Sequence, residues 1–217
     1  MNTKPLVHII DDDASLRTAL TRLLNAAGFE TMAHASTGDF LLSRVEMRHG
    51  CLLLDVRLPN GPSGLELQGA LQQQGIELPV VFMTGHADVP SCVNAMKAGA
   101  VDFLEKPIKA DVLLEAIGRA LAGDLVRRAA RSEEVRLKVL FASLSHREMQ
   151  VFERVVAGKL NRQIADELGI AERTVKAQRA HMMEKLDAGS TAELGRIAER
   201  FSQMQTDATA IRELASP

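Results

Sequence analysis

Cysteine is scarce in this chain of 217 residues: there are two, Cys51 in an apolar strand-like run and Cys92 in a predicted helix. Their separation excludes a CxxC redox pair or a zinc-thiolate framework, so both are expected as reduced thiols. Long hydrophobic runs are also missing, since none approaches the roughly 18 residues that a membrane span needs. The opening Met1-Asn2-Thr3-Lys4-Pro5 has no signal-peptide hydrophobic region. A cytoplasmic protein with no membrane partner is expected. Neither sign of charge dominates, with 26 Lys and Arg against 28 Asp and Glu. The remaining composition, 46% hydrophobic and 25% charged, is ordinary globular usage and at about 100 to 150 residues per domain suggests two units.

What is present is chemically pointed. Asp11, Asp12 and Asp13 follow the apolar run Leu6-Val7-His8-Ile9-Ile10, and Asp55 closes Cys51-Leu52-Leu53-Leu54. Both runs read as strands, so they deliver acid to one edge of one sheet. Clustered carboxylates resist joint ionisation unless a cation sits among them, which suggests a hard-metal site of the Mg²⁺ kind. Two more strand ends converge on it. Pro79-Val80-Val81-Phe82-Met83 ends in Thr84-Gly85 with a hydroxyl donor, and Val101 to Glu105 ends in Lys106-Pro107 with an ammonium. A cation on one side and Lys106 on the other would neutralise the added charge of roughly −1.5 to −2 that a phosphoryl group brings, with Asp55 as acceptor. Asp13 instead suits the N-cap of the helix opening at Ala14-Ser15.

These segments carry a family resemblance. IIDDD, LLLDVRLP, VVFMTGHADV and AMKAGAVDFLEKP, in that order, resemble the receiver domain of two-component response regulators over residues 4 to about 122. The resemblance implies that Asp55 is phosphorylated and that Asp12, Asp55 and the backbone carbonyl of Arg57 bind Mg²⁺ or Mn²⁺, with Asp11 assisting through water. It further implies that Thr84 and Lys106 hold the phosphoryl oxygens. By the family's mechanism Thr84 moves toward the phosphate, Phe103 fills the space it leaves, and the helix from about Asp88 to Ala98 with the strand Val101 to Leu104 becomes a dimer face. In one respect the chain departs: Arg57-Leu58-Pro59-Asn60-Gly61-Pro62-Ser63-Gly64 is one residue longer than the usual family loop and has an additional proline.

Apolar runs alternate with helical patterns through this half, in Leu16-Leu20-Leu23-Leu24, Phe40-Leu41-Val45 and Leu65-Leu67-Leu71. That is the βα alternation of a doubly wound α/β fold, a five-stranded parallel flavodoxin-like sheet with ligands beyond the strand C-termini. Gly28, Gly50, Gly75 and Gly99 are placed as helix stops. From Asp111 a helical pattern continues past Gly118 and Gly123 without a proline, predicting that the last receiver helix extends into a stiff linker. Arg127, Arg128 and Arg131, followed by Glu133 and Glu134, read as a solvated face.

The last third is all helical. Ser145-His146-Arg147-Glu148 and Ser190-Thr191-Ala192-Glu193 are capping boxes, and Asn161 to Leu168, Gly169 and Glu172 to Leu186 spell helix, glycine turn, helix. LSHREMQVFERVVAGKLNRQIADELGIAERTVKAQRAHMMEKL is similar to the DNA-binding domain of the LuxR type, over about 143 to 203. Paired with the receiver, it points to the FixJ and NarL group of response regulators. By this analogy Val175, Met182 and Leu186 face the core, while Arg173, Thr174, Lys176, Ala177, Arg179 and Ala180 are available to DNA. Lys176, Arg179 and Lys185 are the expected phosphate ligands, each steepening the salt dependence by about 0.9 in log–log slope. Gln178, where the family often has histidine, and Ala171, where a capping serine is common, leave sequence preference open.

The expected domains are a receiver at 1–122, a helical linker at 123–142 and a helix-turn-helix domain at 143–217. The expected function is a transcriptional regulator rather than a metabolic enzyme. A sensor histidine kinase phosphorylates Asp55, the receiver forms homodimers, and the paired domains bind promoter DNA, with RNA polymerase as a further partner. One alternative is an interaction protein whose receiver binds partners irrespective of phosphate. Another is a phosphatase, disfavoured because Asp55-Val56-Arg57 offers no second carboxylate two residues on. The signal, the kinase and the target promoters are not legible.

Overall fold

The computed structural model describes residues 4–43, 49–59, 61–85 and 88–214, with side chains described as far as 206. The chain divides into two compact units, Met1–Arg128 and Ala129–Pro217. Among the described residues no helix is long and apolar enough to cross a membrane.

Among the described residues unit one has five strands, β1 Leu6–Ile10, β2 Glu30–His34, β3 Gly50–Asp55, β4 Val80–Thr84 and β5 Asp102–Glu105, all parallel in the order β2-β1-β3-β4-β5. Helices α1 Ala14–Ala26, α2 Thr37–Leu42, α3 Gly64–Gln73 and α4 Val89–Lys97 connect them, and α5 Ala110–Ala142 follows. Side chains of a strand alternate between faces, so a strand buried on both reads as a continuous apolar run. In β3, Cys51 and Leu53 join Val7, Ile9, Leu24 and Ile117 on one face, while Leu52 and Leu54 join Ile10, Phe40, Leu67 and Phe82 on the other. The order of strands reverses direction across β1 and β3, which places any ligand beyond their C-termini.

Local sequence accounts for most helix ends. Asp13 caps α1, its carboxylate accepting from the Ser15 and Leu16 amides. Gly28, Gly75 and Gly99 have φ of 94°, 70° and 79°, the left-handed stop that disfavours a Cβ. Gly50 differs from that expectation: it is the first residue of β3, and a Cβ there would lie 2.2 Å from the Leu6 carbonyl oxygen. It is required by close strand approach, not by a helix stop. Val45, expected in a helix with Phe40 and Leu41, and Asn60 of the longer loop lie outside the described residues.

α5 is unbroken over 33 residues despite Gly118 and Gly123. Its first turns bury Leu113, Ala116, Ile117 and Ala120 in unit one. Asp124 is buried there too, accepting from His49 Nδ1 at 2.7 Å, the Gly50 amide at 3.2 Å and Arg128 Nε at 2.7 Å. Arg128 is therefore an anchored residue and not part of a merely solvated face.

Unit two holds the end of α5, then α6 His146–Val156, α7 Asn161–Leu168, α8 Glu172–Lys185 and α9 Thr191–Leu214. Val151, Phe152, Ile164, Val175, Met182 and Leu186 share one core with Leu137 and Phe141. The Ser145–Glu148 capping box is complete. At α9 only half forms, because the Glu193 amide donates to Ser190 Oγ while the Glu193 carboxylate accepts from the Gly189 amide.

Candidate functional site

In unit one the register does the positioning. Ile10 pairs with Leu54, so Asp11 and Asp55 leave adjacent strands side by side; Asp55 pairs with Met83, and Thr84 with Glu105, one step before Lys106. The Lys106 amide donates to the Thr84 carbonyl at 2.7 Å, fastening the last two strand ends together, and a cis peptide joins Lys106 to Pro107.

The Lys106 ammonium bridges the carboxylates, 2.7 Å from Asp11 Oδ2 and 2.5 Å from Asp55 Oδ2. The second oxygens are held by backbone: Asp11 Oδ1 accepts from the Asp13 amide at 2.9 Å and Asp55 Oδ1 from the Arg57 amide at 3.0 Å. Asp11, Asp55 and Thr84 are buried, while Asp12 is exposed. Burial pushes the Asp55 carboxyl above its usual range, and the hydrogen bonds from Lys106 and Arg57 offset this only in part. For Lys106 burial acts to lower the pKa, but hydrogen bonds and charge from Asp11 and Asp55 outweigh it and hold the ammonium above its ordinary value.

Asp11, Asp12 and Asp55 each offer an oxygen within 4.8 Å of the others. Three carboxylates and no sulfur or imidazole form a donor set suited to a hard divalent cation, so the residues present fit such an ion. Beside Asp12 opens a cleft of about 540 Å³ walled by Arg57, Leu58, Pro59, Gly61 and Ser63, the longer loop. Phe103, half-buried, packs against Phe82 with ring centroids 6.1 Å apart. The structure thus brings Asp11, Asp12, Asp55, Thr84 and Lys106 to one edge, with Phe103 on the adjacent strand.

In unit two, Gly169 adopts φ 64° and turns α7 into α8. Val175, Met182 and Leu186 are fully buried. Arg173, Lys176, Ala177, Ala180 and Lys185 are exposed, and Thr174 is half-buried. The cations are not equally free. Lys176 pairs with Glu172 at 3.0 Å, and Lys185 donates to the buried Glu148 at 2.7 Å and to the Ser143 carbonyl at 3.1 Å. The half-buried Arg179 donates to Asn161 Oδ1 at 3.3 Å and Thr191 Oγ1 at 2.7 Å. Asn161, Thr191 and Glu148, which hold these cations, carry no functional motif in the sequence. Only their places at helix starts distinguished them in sequence.

Comparison with known proteins agrees with both halves. Residues 7–118 match the response regulator receiver domain, and residues 142–198 match the bacterial regulatory proteins of the luxR family. Nodulation protein W of Bradyrhizobium diazoefficiens is 46% identical over 198 residues, covering 91% of this chain and 87% of the relative. The solved structure of response regulator StyR is 46% identical with a TM-score of 0.87, covering 91% of this chain and 100% of that one. Full-length FixJ from B. japonicum is 40% identical with a TM-score of 0.57, covering 93% and 99%.

Proposed function

We propose, from the premise that this chain belongs to the two-component response regulators that join a receiver to a LuxR-type DNA-binding domain, that Asp55 is its phosphoacceptor and that phosphate there controls transcription. The observation that carries this reading is the convergence of Asp55 with Lys106, Asp11 and Thr84 at one sheet edge in a chain that also has a helix-turn-helix.

An Asp55 carboxylate oxygen attacks the phosphorus of a phosphohistidine on a sensor kinase. The P–N bond breaks, the imidazole keeps the electron pair and takes a proton, and an acyl phosphate is left on Asp55. Lys106, already bridging the two buried carboxylates, is placed to follow the new negative charge, and Thr84 offers its hydroxyl to a phosphoryl oxygen. Asp11, Asp12, Asp55 and the Arg57 carbonyl would hold Mg²⁺ or Mn²⁺, which when bound supplies electrostatic stabilisation of phosphoryl oxygens. Thr84 and Phe103 relay occupancy toward α4 and β5, which form the homodimer face, and the paired units then bind promoter DNA and engage RNA polymerase. Two half-sites raise affinity by effective concentration without new contacts. Moving the switch from 1:99 to 99:1 needs about 5.5 kcal/mol of preference for the active state. The setting is the cytoplasm.

The test is to sequence genomic fragments captured by the full chain with and without a small-molecule phosphodonor and Mg²⁺, beside Asp55→Asn. Promoters enriched only by phosphorylated wild type support the reading. Enrichment indifferent to phosphate removes Asp55 control, and no enrichment favours a receiver that acts through protein partners.

A further inference from the structure

We infer that Arg179 serves DNA binding as a positioning residue, fixing α8 against the first residues of α7 and α9, and not as a ligand of phosphate. This rests on the reading that α8 enters duplex DNA. At about 100° per residue, Arg179 lies about 40° around the helix from Val175 and about 60° from Met182, both fully buried. Arg173, Ala177 and Ala180 lie about 140° to 160° from Val175, on the opposite face. Arg179 therefore belongs to the inward stripe although its head is charged.

Its guanidinium is also spoken for. One terminal nitrogen donates to Asn161 Oδ1, the first residue of α7, and the other to Thr191 Oγ1, the first residue of α9. A planar fork presents donors in fixed directions, so two acceptors from two helices set both distance and rotation between them. Leu160 before α7 and Ala171 before α8 provide no side-chain cap, so contacts between helices carry more of their placement. Arg179 ties the starts of α7 and α9 to the middle of α8 through one side chain. A lysine keeps the charge but, as a point donor, cannot reproduce the fork.

The probe is a short duplex enriched by the wild-type full chain from a random-sequence pool, with affinity measured across a KCl series. Arg179→Gln and Arg179→Lys are both expected to bind roughly tenfold or more weakly at fixed salt, with the log–log salt slope unchanged. Thr191→Val leaves the charge of Arg179 in place and is expected to weaken binding in the same direction at unchanged slope. A phosphate ligand behaves otherwise: Arg179→Gln lowers the slope by about 0.9, Arg179→Lys restores affinity, and Thr191→Val costs nothing. Any of those results overturns the inference. In the free protein, amide exchange at 164–166 and 194–196, the first backbone-bonded amides of α7 and α9, is expected to accelerate in Arg179→Gln while α6 stays protected, and unchanged exchange overturns it too. If wild type enriches no duplex, the DNA-binding reading fails, and the exchange arm still decides whether Arg179 holds the helix starts.

Discussion

Lys185→Met tests whether the cation at the end of α8 is a structural partner or a DNA ligand. Glu148 is almost wholly buried, accepts from the Lys185 ammonium and the Ser145 amide, and is held at a pKa of about 2, mainly by Lys185 and next by Ser145. A folded pKa below the unfolded value contributes stability above the unfolded pKa and loses it as pH falls toward the folded one. The whole shift, from 4.5 to about 2, corresponds to at most about 3 kcal/mol. Part belongs to the Ser145 amide, which the substitution leaves intact, and the Lys185 side chain is 39% exposed, so solvent screens the pair. A loss of about 1 to 2 kcal/mol at pH 7 is the expectation, shrinking between about pH 4.5 and pH 2. Lacking Trp and Tyr, the chain offers no indole or phenol fluorescence, so native-state hydrogen exchange in α6 is the suitable assay. Protection should fall roughly five- to thirtyfold at pH 7. Unchanged protection, or a difference of the same size below pH 2.5, refutes the reasoning. A salt slope of DNA binding lowered by about 0.9 in this variant would show that Lys185 leaves Glu148 for a phosphate.

Two further outcomes follow from unit one. Because burial raises the Asp55 pKa, the folded state binds its proton more tightly than the unfolded state, and stability falls as pH rises through the usual carboxylate range. Asp55→Asn should therefore raise the melting temperature of the metal-free chain at pH 7, with the gain fading near pH 4; calorimetry showing destabilisation at pH 7 contradicts this. Gly64→Ala places a Cβ 2.3 Å from the Asp55 carbonyl oxygen and 3.1 Å from Leu54 and Phe82. It should cost about 1 to 3 kcal/mol and slow labelling of Asp55 by a small phosphodonor, and a wild-type labelling rate would show that the loop absorbs the methyl.

The chemistry at the sheet edge was legible because it is written locally. Asp11, Asp55 and Thr84 end apolar runs and Lys106 follows the strand-like Val101 to Glu105, and parallel strands in register bring such ends together whatever lies between them. Asp13, Ser145 and Gly169 were legible as caps and stops for the same reason, since each acts within four residues of itself. Which partner a long side chain takes is a different kind of fact. Glu193 reached Gly189 in place of Ser190. Asp124 found His49, 75 residues away, and Arg179 found Asn161 and Thr191 rather than open solvent. Gly50 looked like a helix stop until the strand beside it left no room for a Cβ. Periodicity and end signals in the sequence determined the strands, the helices and the cluster of acid, hydroxyl and amine. Only the tertiary structure decided which charges are spent inside the protein, because that depends on distances between segments remote in sequence, which no local pattern encodes.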